Sequence, residues 1–375
     1  MITAARREPA LDAMRALALL SVLVVNAAGY LVAPWGALLG ERSPAGSGLA
    51  SAVQTLVAAL LQGKGYPLLA FLFGMGLWLA QRGRAGPVAH QRGVARQAKL
   101  LKLGVLHGVF VYFGDILTMY ALVGWHLLAR VHEPWGRLRK RLRRALWWAL
   151  GVTLLSVVAT GLMAAQPSPA GTATTSPEPT LAGARHALDF LWINASAYLM
   201  LQIGGLLLSW PVLRLCMLCG VAAARLRLLT HRRWRRPLRR WVVRAAAPLV
   251  VLNLAYGLVY ANAASGSARS FWLDSIGSLI GPPLAALYLA ALALAARGGA
   301  AAWCRWLAPL GRRTLTLYVG HSVLCLALFS GLGMGWQPGT AGMALFAVAV
   351  WAGAVVAARA SGALRWPLEA WLAHR

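Results

Sequence analysis

The chain has 375 residues, of which 59% are hydrophobic and only 12% are charged. This composition excludes an ordinary soluble domain, because so few charged side chains cannot cover a water-soluble globule of that size. The formal net charge of +28 therefore indicates basic loops that fix a membrane topology rather than a nucleic-acid surface. We expect an all-α, polytopic membrane protein that binds no nucleic acid.

About ten transmembrane helices are predicted along the chain, since a membrane span needs roughly 20 mostly apolar residues. The spans are predicted at 11–31, at 65–80, twice within 101–130, and then at 145–165, 195–218, 245–261, 272–295, 314–332 and 341–356. Three further segments are expected to lie outside the spans. They are a short interfacial or re-entrant helix at 49–61, a flexible loop rich in Pro, Ser and Thr at 166–185, and an amphipathic surface helix within the tail RWPLEAWLAHR.

Positive charge is concentrated on one side of this predicted topology. Four basic segments, the N-terminus and the tail together hold 32 of the 37 Lys and Arg residues. Basic loops stay in the cytoplasm, so both termini are predicted to be cytoplasmic in a multi-pass protein of the bacterial inner membrane, in contact with membrane lipids. The basic segments are 82–102, 136–144, 225–244 and 297–313; with Arg130 counted beside the second segment and Arg359 with the tail, the five remaining cations are Arg42, Lys64, Arg185, Arg214 and Arg269.

The four cysteines do not form a disulfide framework. Cys216 and Cys219 make a CxxC pair, but inside an apolar helix, where cysteine usually packs as a small hydrophobe. The sequence also has no nucleotide-binding loop, no GxSxG nucleophile elbow and no residues with metal-ligand spacing. We therefore expect no metal, and neither a hydrolase nor an ATPase has support in the sequence.

The stretch 101–130 is long enough to cross a membrane twice, yet it contains His107, Asp115 and His126. Ionisable groups at that depth cost several kcal/mol unless they face a protein interior or a water-filled cavity. The pair Gly114-Asp115 marks the predicted turn of a helical hairpin. His107 is a candidate general base that would act on a hydroxyl group. The alternative is a polar network that packs the spans together.

Asp115 follows His107 by eight residues, which is about 12 Å along a continuous helix at 1.5 Å per residue. That separation argues against a direct contact between the two side chains. Asp115 is instead expected at the outer mouth, where it would bind an acceptor, or at the N-terminus of the fourth span, which a carboxylate stabilises.

Polar residues of the first spans are candidates for binding a coenzyme. Asp12 and Arg15 share one helical face, which predicts either a structural ion pair or an Arg15 side chain that faces coenzyme phosphates. Arg96 and Lys99 are candidates for the same phosphate-binding role. Asn26 is placed either to donate to a developing oxyanion or to hydrogen-bond a neighbouring helix.

Three more residues are candidates for contact with a substrate. Lys64 and Tyr66 stand at the outer end of the second span, where snorkelling and the aromatic belt are the ordinary explanations. His321 lies in the middle of the ninth span and joins His107 as a second deep histidine.

Four motifs in order along nearly the whole chain carry a resemblance to a known family. They are RREPALDAMRALALLSVLVVN, GKGYPLLAFLFGMG, LGVLHGVFVYFGDILTMYAL and LGRRTLTLYVGHSVLC. Together they resemble the YeiB-like family of bacterial inner-membrane proteins, domain-of-unknown-function family 418. That family is distantly similar to transmembrane acyltransferases such as the lysosomal heparan-alpha-glucosaminide N-acetyltransferase.

The resemblance implies a transfer of an acyl group from cytoplasmic acyl-CoA to an envelope glycan or a similar acceptor. The heparan enzyme has a His just before an Ala-Pro-Trp sequence. This chain keeps Asn26 and the Ala-Pro-Trp at 33–35, but has Val32 in place of that His. Of the histidines in this sequence, His107 is the candidate to substitute for it.

The resemblance also implies one transmembrane domain over 1–375, with an acyltransferase-like part at about 1–165 and a family-specific part at about 195–375. Two other function classes use the same polar core without chemistry. One is a transporter or permease for a small molecule or a lipid, and the other is a non-catalytic membrane scaffold. A homo-oligomer is compatible with each of these function classes.

The predicted topology can be tested by fusing a phosphatase that is active only in the periplasm after Ser168. We expect the fusion to be active, because the loop 166–185 follows an odd number of spans from a cytoplasmic N-terminus. Phosphatase activity of whole cells is the measurement. An inactive fusion, with the protein present in the membrane fraction, would contradict the topology.

Overall fold

A computed structural model of the chain describes residues 9–38, 41, 48–82, 86–166, 180–296, 301–362 and 364–373. Within these residues every regular element is helical, which confirms the all-α prediction. The α-helices are α1 (Pro9–Ala28), α2 (Pro34–Leu38), α3 (Leu49–Leu60), α4 (Gly65–Gln81), α5 (Pro87–Phe110), α6 (Leu117–Leu128), α7 (Trp135–Ala164), α8 (Ala187–Leu226), α9 (Arg235–Asn262), α10 (Ala268–Ala295), α11 (Ala301–Gly311), α12 (Thr314–Phe329), α13 (Gly339–Ala360) and α14 (Pro367–Ala373).

In the part of the chain that the structure describes, seven helical segments are long and apolar enough to cross a membrane, judged by length and composition. They are Pro9–Leu31, Leu49–Gln81, Trp135–Ala164, Ala187–Leu226, Arg232–Asn262, Ala268–Ala295 and Gly339–Ala360. Two shorter apolar helices, α6 and α12, accompany them. The membrane class of the protein is thus supported, while the number of ten spans and the orientation of the termini stay predictions.

The basic segments are largely helical, which corrects their prediction as loops. Helix α7 begins at Trp135 and includes all of 136–144. Helix α8 continues to Leu226, and α9 begins at Arg235, so only a short connection separates them. The reason is that Arg and Lys are good helix formers, and a helix that leaves the membrane keeps its own backbone hydrogen bonds.

The predicted helical hairpin is confirmed, because α5 ends at Phe110 and α6 begins at Leu117, on either side of Gly114. The short helix expected at 49–61 is also present as α3. Ser168 and most of the loop expected to be flexible lie outside the described residues. The described end of that loop is packed, since the Leu181 side chain is fully buried and the Leu181 carbonyl accepts a hydrogen bond from the Gly331 N–H at 2.9 Å.

Helix α1 lies in the middle of the bundle and α7 and α9 at its periphery. In the apolar window of α1, 72% of residues are buried, whereas the share is 17% in those of α7 and α9. Helix α1 packs against α4, α11, α12 and α13. The side chains of α1 can therefore reach internal cavities, whereas α7 and α9 present apolar residues outward, as lipid-facing helices do.

The basic segments meet at one end of the bundle, which we call the basic end. Contacts there join residues that are distant in sequence: the Arg225 guanidinium donates to the Glu133 carbonyl at 2.7 Å, and Arg359 lies over the Trp306 ring. The turn after α5 lies at the other end, which we call the opposite end. Helices α1 and α5 run from the basic end to the opposite end, and α4 and α6 run back.

Helices α4 and α8 are in close contact through two glycines. A Cβ atom at Gly220 would lie 2.0 Å from the Phe71 carbonyl oxygen, and one at Gly74 would lie 2.1 Å from the Met217 carbonyl oxygen. Both obstacles are backbone atoms, which cannot swing away as a flexible side chain can. Small residues at such crossings let helix backbones approach closely, which is how membrane helices gain packing contacts.

Gly220→Ala is expected to destabilise the protein by about 1–3 kcal/mol, because the new methyl group forces α4 and α8 apart. Thermal unfolding of the detergent-purified variant, followed by tryptophan fluorescence, measures the effect. Gly204→Ala is the matched control on α8, since a Cβ there meets nothing within 4 Å. Equal melting temperatures for Gly220→Ala and the wild type would contradict the close α4–α8 packing.

Candidate functional site

Two cavities enter the bundle from its two ends. The basic-end cavity has a volume of about 550 Å³ and the opposite-end cavity one of about 540 Å³. Both volumes fall in the range of small-molecule and cofactor sites. The basic-end cavity is charged and apolar: Asp12, Arg15, Arg96, Arg312 and Glu369 lie along its wall with many leucines. The opposite-end cavity is richer in uncharged polar groups, among them Asn26, Gln54, Gln62, Tyr66 and Thr340.

A thin partition separates the two cavities. Ile116 borders both of them. Tyr120 on the basic-end side donates its hydroxyl hydrogen to the carbonyl of Tyr66 on the opposite-end side. The hydroxyl of Tyr318, another wall residue of the basic-end cavity, accepts the Ile116 N–H at 3.3 Å. Ile116 follows Asp115 directly, so the partition lies beside the predicted catalytic residues.

His107 and Asp115 are in direct contact, and the expectation that they lie too far apart was wrong. The His107 Nδ1 atom is 2.9 Å from Asp115 Oδ1, and both side chains are completely buried. The expectation assumed one continuous helix through both residues. Helix α5 instead ends at Phe110, and the chain reverses and brings Asp115 back beside the last turn of α5.

Asp115 is held from several sides. Its second carboxylate oxygen accepts the N–H of Thr118 at 2.8 Å, so it also caps the start of α6, as one of the sequence alternatives predicted. Its carbonyl accepts a hydrogen bond from the Gln202 amide at 3.3 Å. Gly104 makes room for it, since a Cβ there would lie 3.0 Å from the carboxylate. These contacts fix the carboxylate that orients the His107 ring.

The free nitrogen of His107 has the properties of a base. An ionised carboxylate only accepts hydrogen bonds, so Asp115 selects the tautomer of the neutral imidazole that carries its hydrogen on Nδ1. The Nε2 atom then has an available lone pair. It is buried, and no hydrogen-bond partner for it exists within the described residues. Because buried polar atoms are nearly always paired, an unpaired Nε2 points to a ligand or a substrate.

Helix α8 supports this pair with residues that the sequence reasoning missed. The Asn194 amide donates to the carbonyls of Gly108 and Val109, both at 2.8 Å, and thereby caps the end of α5. The Tyr198 hydroxyl is 2.9 Å from the Thr118 hydroxyl. The sequence did contain a signal for these residues, because Asn194 and Gln202 are polar side chains in or beside a predicted apolar span.

Arg15 and Arg96 both border the basic-end cavity, and their phosphate-binding role stays a prediction. Arg15 Nη1 lies 2.8 Å from Asp12 Oδ1, so the predicted ion pair is present, and the Arg15 side chain still borders the cavity. The Arg96 guanidinium lies 5.7 Å from the centre of the Phe73 ring. It has no carboxylate partner among the described residues, and it is open to the cavity.

Lys99 lies elsewhere and holds the C-terminal tail. Its ammonium donates to the Trp371 carbonyl at 3.1 Å and lies over the Trp371 ring. The carboxylate of Glu369 in the same helix, α14, accepts the N–H groups of Leu315 and Thr316 at 2.8 and 3.0 Å. Helix α14 thus forms part of the wall of the basic-end cavity, and Lys99 fixes that wall without bordering the cavity itself.

Asn26 and Tyr66 both border the opposite-end cavity. Only 8% of the Asn26 surface is exposed, and its Nδ2 donor is without a partner in the described part of the chain. The Thr340 hydroxyl in the same wall is also buried and unpaired there. Gln62, by contrast, donates to Asp274 at 3.2 Å. The wall therefore offers hydrogen-bond donors that a polar ligand would satisfy.

The position of Lys64 at the end of a span led us to expect that its side chain snorkels outward. The structure shows that it does not. It is completely buried, and its ammonium donates to the Ala58 carbonyl at 2.9 Å and lies over the Tyr256 ring. The reason is that the last carbonyls of α3 lack intrahelical partners, and a cation there also stabilises the negative end of the helix.

His321 is 1% exposed and borders neither of the two cavities described above. Its ring nitrogens lie 3.7 and 3.8 Å from the Cys325 sulfur, and its ring packs on Phe346. Substrate contacts by Lys64 and His321 stay predictions. Among the described residues, no group of three or more His, Cys, Asp and Glu side chains is arranged to hold a metal ion.

Comparison with known families gives one match. Residues 223–361 match the family described as Protein of unknown function (DUF418). The matched segment supplies Tyr260, Asp274 and Tyr318 to the cavity walls, whereas His107 and Asp115 lie upstream of it. No curated protein matches the chain.

The buried pair can be tested by a double-mutant cycle with His107→Phe and Asp115→Asn. Each substitution leaves the partner without its hydrogen bond, so we expect each to lower the free energy of unfolding by about 3 kcal/mol. The double variant should lose at least about 1 kcal/mol less than the sum, because the two residues share one interaction. Unfolding in mixed micelles of sodium dodecyl sulfate and maltoside is the measurement.

The exposed His90 on the same helix provides the control cycle. His90→Phe and Asp115→Asn should add independently, since His90 lies near the start of α5 and Asp115 lies beside its last turn. Additive effects of His107→Phe and Asp115→Asn would contradict the contact.

Proposed function

We propose that this chain, whose residues 223–361 match the DUF418 family of proteins of unknown function, is a membrane-embedded acyltransferase. In this proposal it takes an acyl group from acyl-CoA at the basic end and transfers it to a hydroxyl of an envelope glycan or similar acceptor at the opposite end. One observation carries the proposal: a buried histidine, oriented by a carboxylate and with Nε2 unpaired, lies beside the partition between two cavities.

We place the basic end in the cytoplasm of a bacterial cell, because cytoplasmic segments carry an excess of Lys and Arg. Ten spans result when α5, α6 and α12 are added to the seven long apolar segments. Helix α6 and helix α12 are short, but both lie among other helices and carry buried side chains. An odd number of membrane spans then separates the cytoplasmic N-terminus from the loop after α7. Both termini are on the same side of the membrane.

The basic-end cavity has the chemistry of an acyl-CoA site. The guanidinium groups of Arg15, Arg96 and Arg312 would bind phosphates, for which the planar fork of arginine is well suited. The deeper wall is apolar and accepts an acyl chain. Its innermost residues include Ile116 and Tyr318, so a thioester bound at that depth would lie next to the partition.

The opposite-end cavity has the chemistry of an acceptor site. Sugar hydroxyls are both donors and acceptors, and its wall contains both kinds of group. The Asn26 amide and the Thr340 hydroxyl supply unpaired donors, and Asp274 supplies a carboxylate. An unpaired amide in a polar cavity costs about 1–3 kcal/mol, and a bound hydroxylated ligand removes that cost.

The proposed step is a direct transfer between the two substrates. His107 Nε2 removes the proton of the acceptor hydroxyl, whose oxygen attacks the thioester carbonyl carbon. A C–O bond forms, the C–S bond breaks, and the proton on His107 passes to the leaving thiolate. Asp115 stabilises the imidazolium that exists between these two proton transfers, as a carboxylate does for a catalytic histidine. In this proposal the partition residues must move before His107 Nε2 can reach the acceptor hydroxyl.

A transporter is the second candidate, and the border position of Ile116 favours it. Two cavities that open at opposite ends and approach each other at one residue are also what a carrier with alternating access requires. In that case the basic-end cavity would bind an anion, and the His107–Asp115 pair would hold α5 and α6 together without chemistry.

Acyl-CoA binding and thioester cleavage by the detergent-purified protein distinguish the two candidates. We expect saturable binding of a radiolabelled acyl-CoA by the wild type and slow thioester loss. Arg96→Gln should weaken binding about tenfold, because one charge-assisted contact is lost. His107→Gln should keep binding but lower turnover by about 10²–10⁴-fold, as expected for loss of a general base.

Matched controls come from the same helix. Arg92→Gln and His90→Gln change exposed residues of α5 that border neither cavity, so binding and turnover should remain at the wild-type level. If the wild type binds no acyl-CoA, the transferase is excluded and uptake of labelled anions by proteoliposomes becomes the next test. If His107→Gln turns over as fast as the wild type, His107 is not the base.

A further inference from the structure

A cluster of arginines lies at the basic end, away from both cavities, where α6, α7 and α8 meet. The charges of Arg130 and Arg141 act directly on Arg214, and all three act on His126. Arg214 was one of the few cations that the sequence placed outside the basic segments. The structure brings it to the basic end, because its guanidinium lies over the Trp148 ring, next to the basic half of α7.

The cluster contains more positive charge than the described residues neutralise. Glu133 is the carboxylate nearest to it, and Arg141 binds that carboxylate through two hydrogen bonds of 2.6 and 2.8 Å. The Arg141 guanidinium therefore holds the pKa of Glu133 below its ordinary value, so Glu133 stays ionised and engaged. No carboxylate pairs with Arg130 or Arg214 within the described residues.

Arg214 has an unused donor. Its guanidinium lies 5.7 Å from the centre of the Trp148 ring. The ring covers one face of the guanidinium, and its Nε–H is buried without a hydrogen-bond partner in the described part of the chain. The guanidinium of Arg130, in contrast, donates to the His126 carbonyl. Two guanidinium groups without a carboxylate partner, one of them with an unused donor, favour the binding of an anion.

The aromatic residues around the cluster locate it at headgroup depth. Trp148 stands just after the last arginine of the basic half of α7, where the helix becomes apolar. It is 43% exposed, and Trp125 on α6 is 42% exposed. Trp210 on α8 packs against the His126 ring at 5.9 Å. Tryptophans at the border between charged and apolar segments mark the level of lipid headgroups.

We propose that Arg130, Arg141 and Arg214 form a binding site for the phosphate of an anionic phospholipid, with Trp148 and Trp210 against the glycerol backbone and upper acyl chains. Basic pockets between helices on the cytoplasmic side of a membrane are suited to such headgroups. The site is independent of the proposed acyl transfer, because its residues border neither cavity.

The chemistry that the site recognises is a phosphate monoanion, and two sources could supply it. A free phosphate would use the guanidinium groups alone. A phospholipid would in addition cover the exposed Trp148 and Trp125 rings, which a small anion leaves bare. The exposed rings favour the lipid, and the experiment separates the two sources.

Native mass spectrometry of the full-length protein, released from maltoside micelles, measures retained lipid. After equal loading with phosphatidylglycerol or phosphatidylcholine, the wild type should retain at least one phosphatidylglycerol molecule and little phosphatidylcholine. Arg214→Gln should reduce phosphatidylglycerol retention about tenfold, since one charge-assisted interaction is lost. Arg214→Lys should retain an amount of phosphatidylglycerol between those of the wild type and Arg214→Gln, because lysine keeps the charge but lacks the planar fork of arginine.

Two further variants keep the test decisive if Arg214→Gln does not fold. Arg130 lies in the connection after α6, and Arg130→Gln should also lower phosphatidylglycerol retention. Arg239→Gln removes an exposed arginine of α9 and should retain lipid as the wild type does. Equal retention of the two lipids by the wild type, or wild-type retention by both cluster variants, would overturn the proposal. Displacement of the lipid by millimolar inorganic phosphate would assign the site to a soluble anion and would overturn it too.

Discussion

The position at which α5 ends controls the geometry of the candidate site. Because the helix stops at Phe110, the chain turns back and Asp115 meets His107 at 2.9 Å, instead of lying farther along the same helix. The turn also creates a new helix start at Leu117, which the Asp115 carboxylate caps through Thr118. Ile116, which borders both cavities, is the residue between this carboxylate and the new helix. One turn therefore places His107, Asp115 and the partition together.

The cations of this protein divide into two groups by what they contact. Lys64, Lys99 and Arg313 donate to backbone carbonyls at 2.7–3.3 Å, and so complete helix ends or hold the C-terminal tail. Arg96 and Arg214 also lie over aromatic rings, but among the described residues neither pairs with a carboxylate or donates to a backbone carbonyl. Guanidinium groups with uncommitted donors suit anions such as phosphate, so this second group marks where anions are expected to bind. Both of our proposals follow from that distinction.

The two cavities differ in chemistry because their walls come from different parts of the same helices. At the start of α1, Asp12 and Arg15 lie near the basic segments, whereas Asn26 near its end lies among amides and hydroxyls. A protein that only stabilised its own helix packing would gain nothing from an unpaired buried Asn26 donor and an unpaired His107 Nε2. These two unpaired atoms support the proposed transfer between two substrates.

The sequence alone determined the all-α class, the membrane character, the hairpin at Gly114 and the Asp12–Arg15 pair, because these depend on local hydropathy and on neighbours within one helical turn. It also identified His107 and Asp115 as polar residues that need a reason to be buried. Their contact, the inward path of Lys64 and the meeting of Arg214 with Arg130 could not be read in this way. Each depends on where a helix ends and on which helix packs beside it, and only the tertiary structure decides those points.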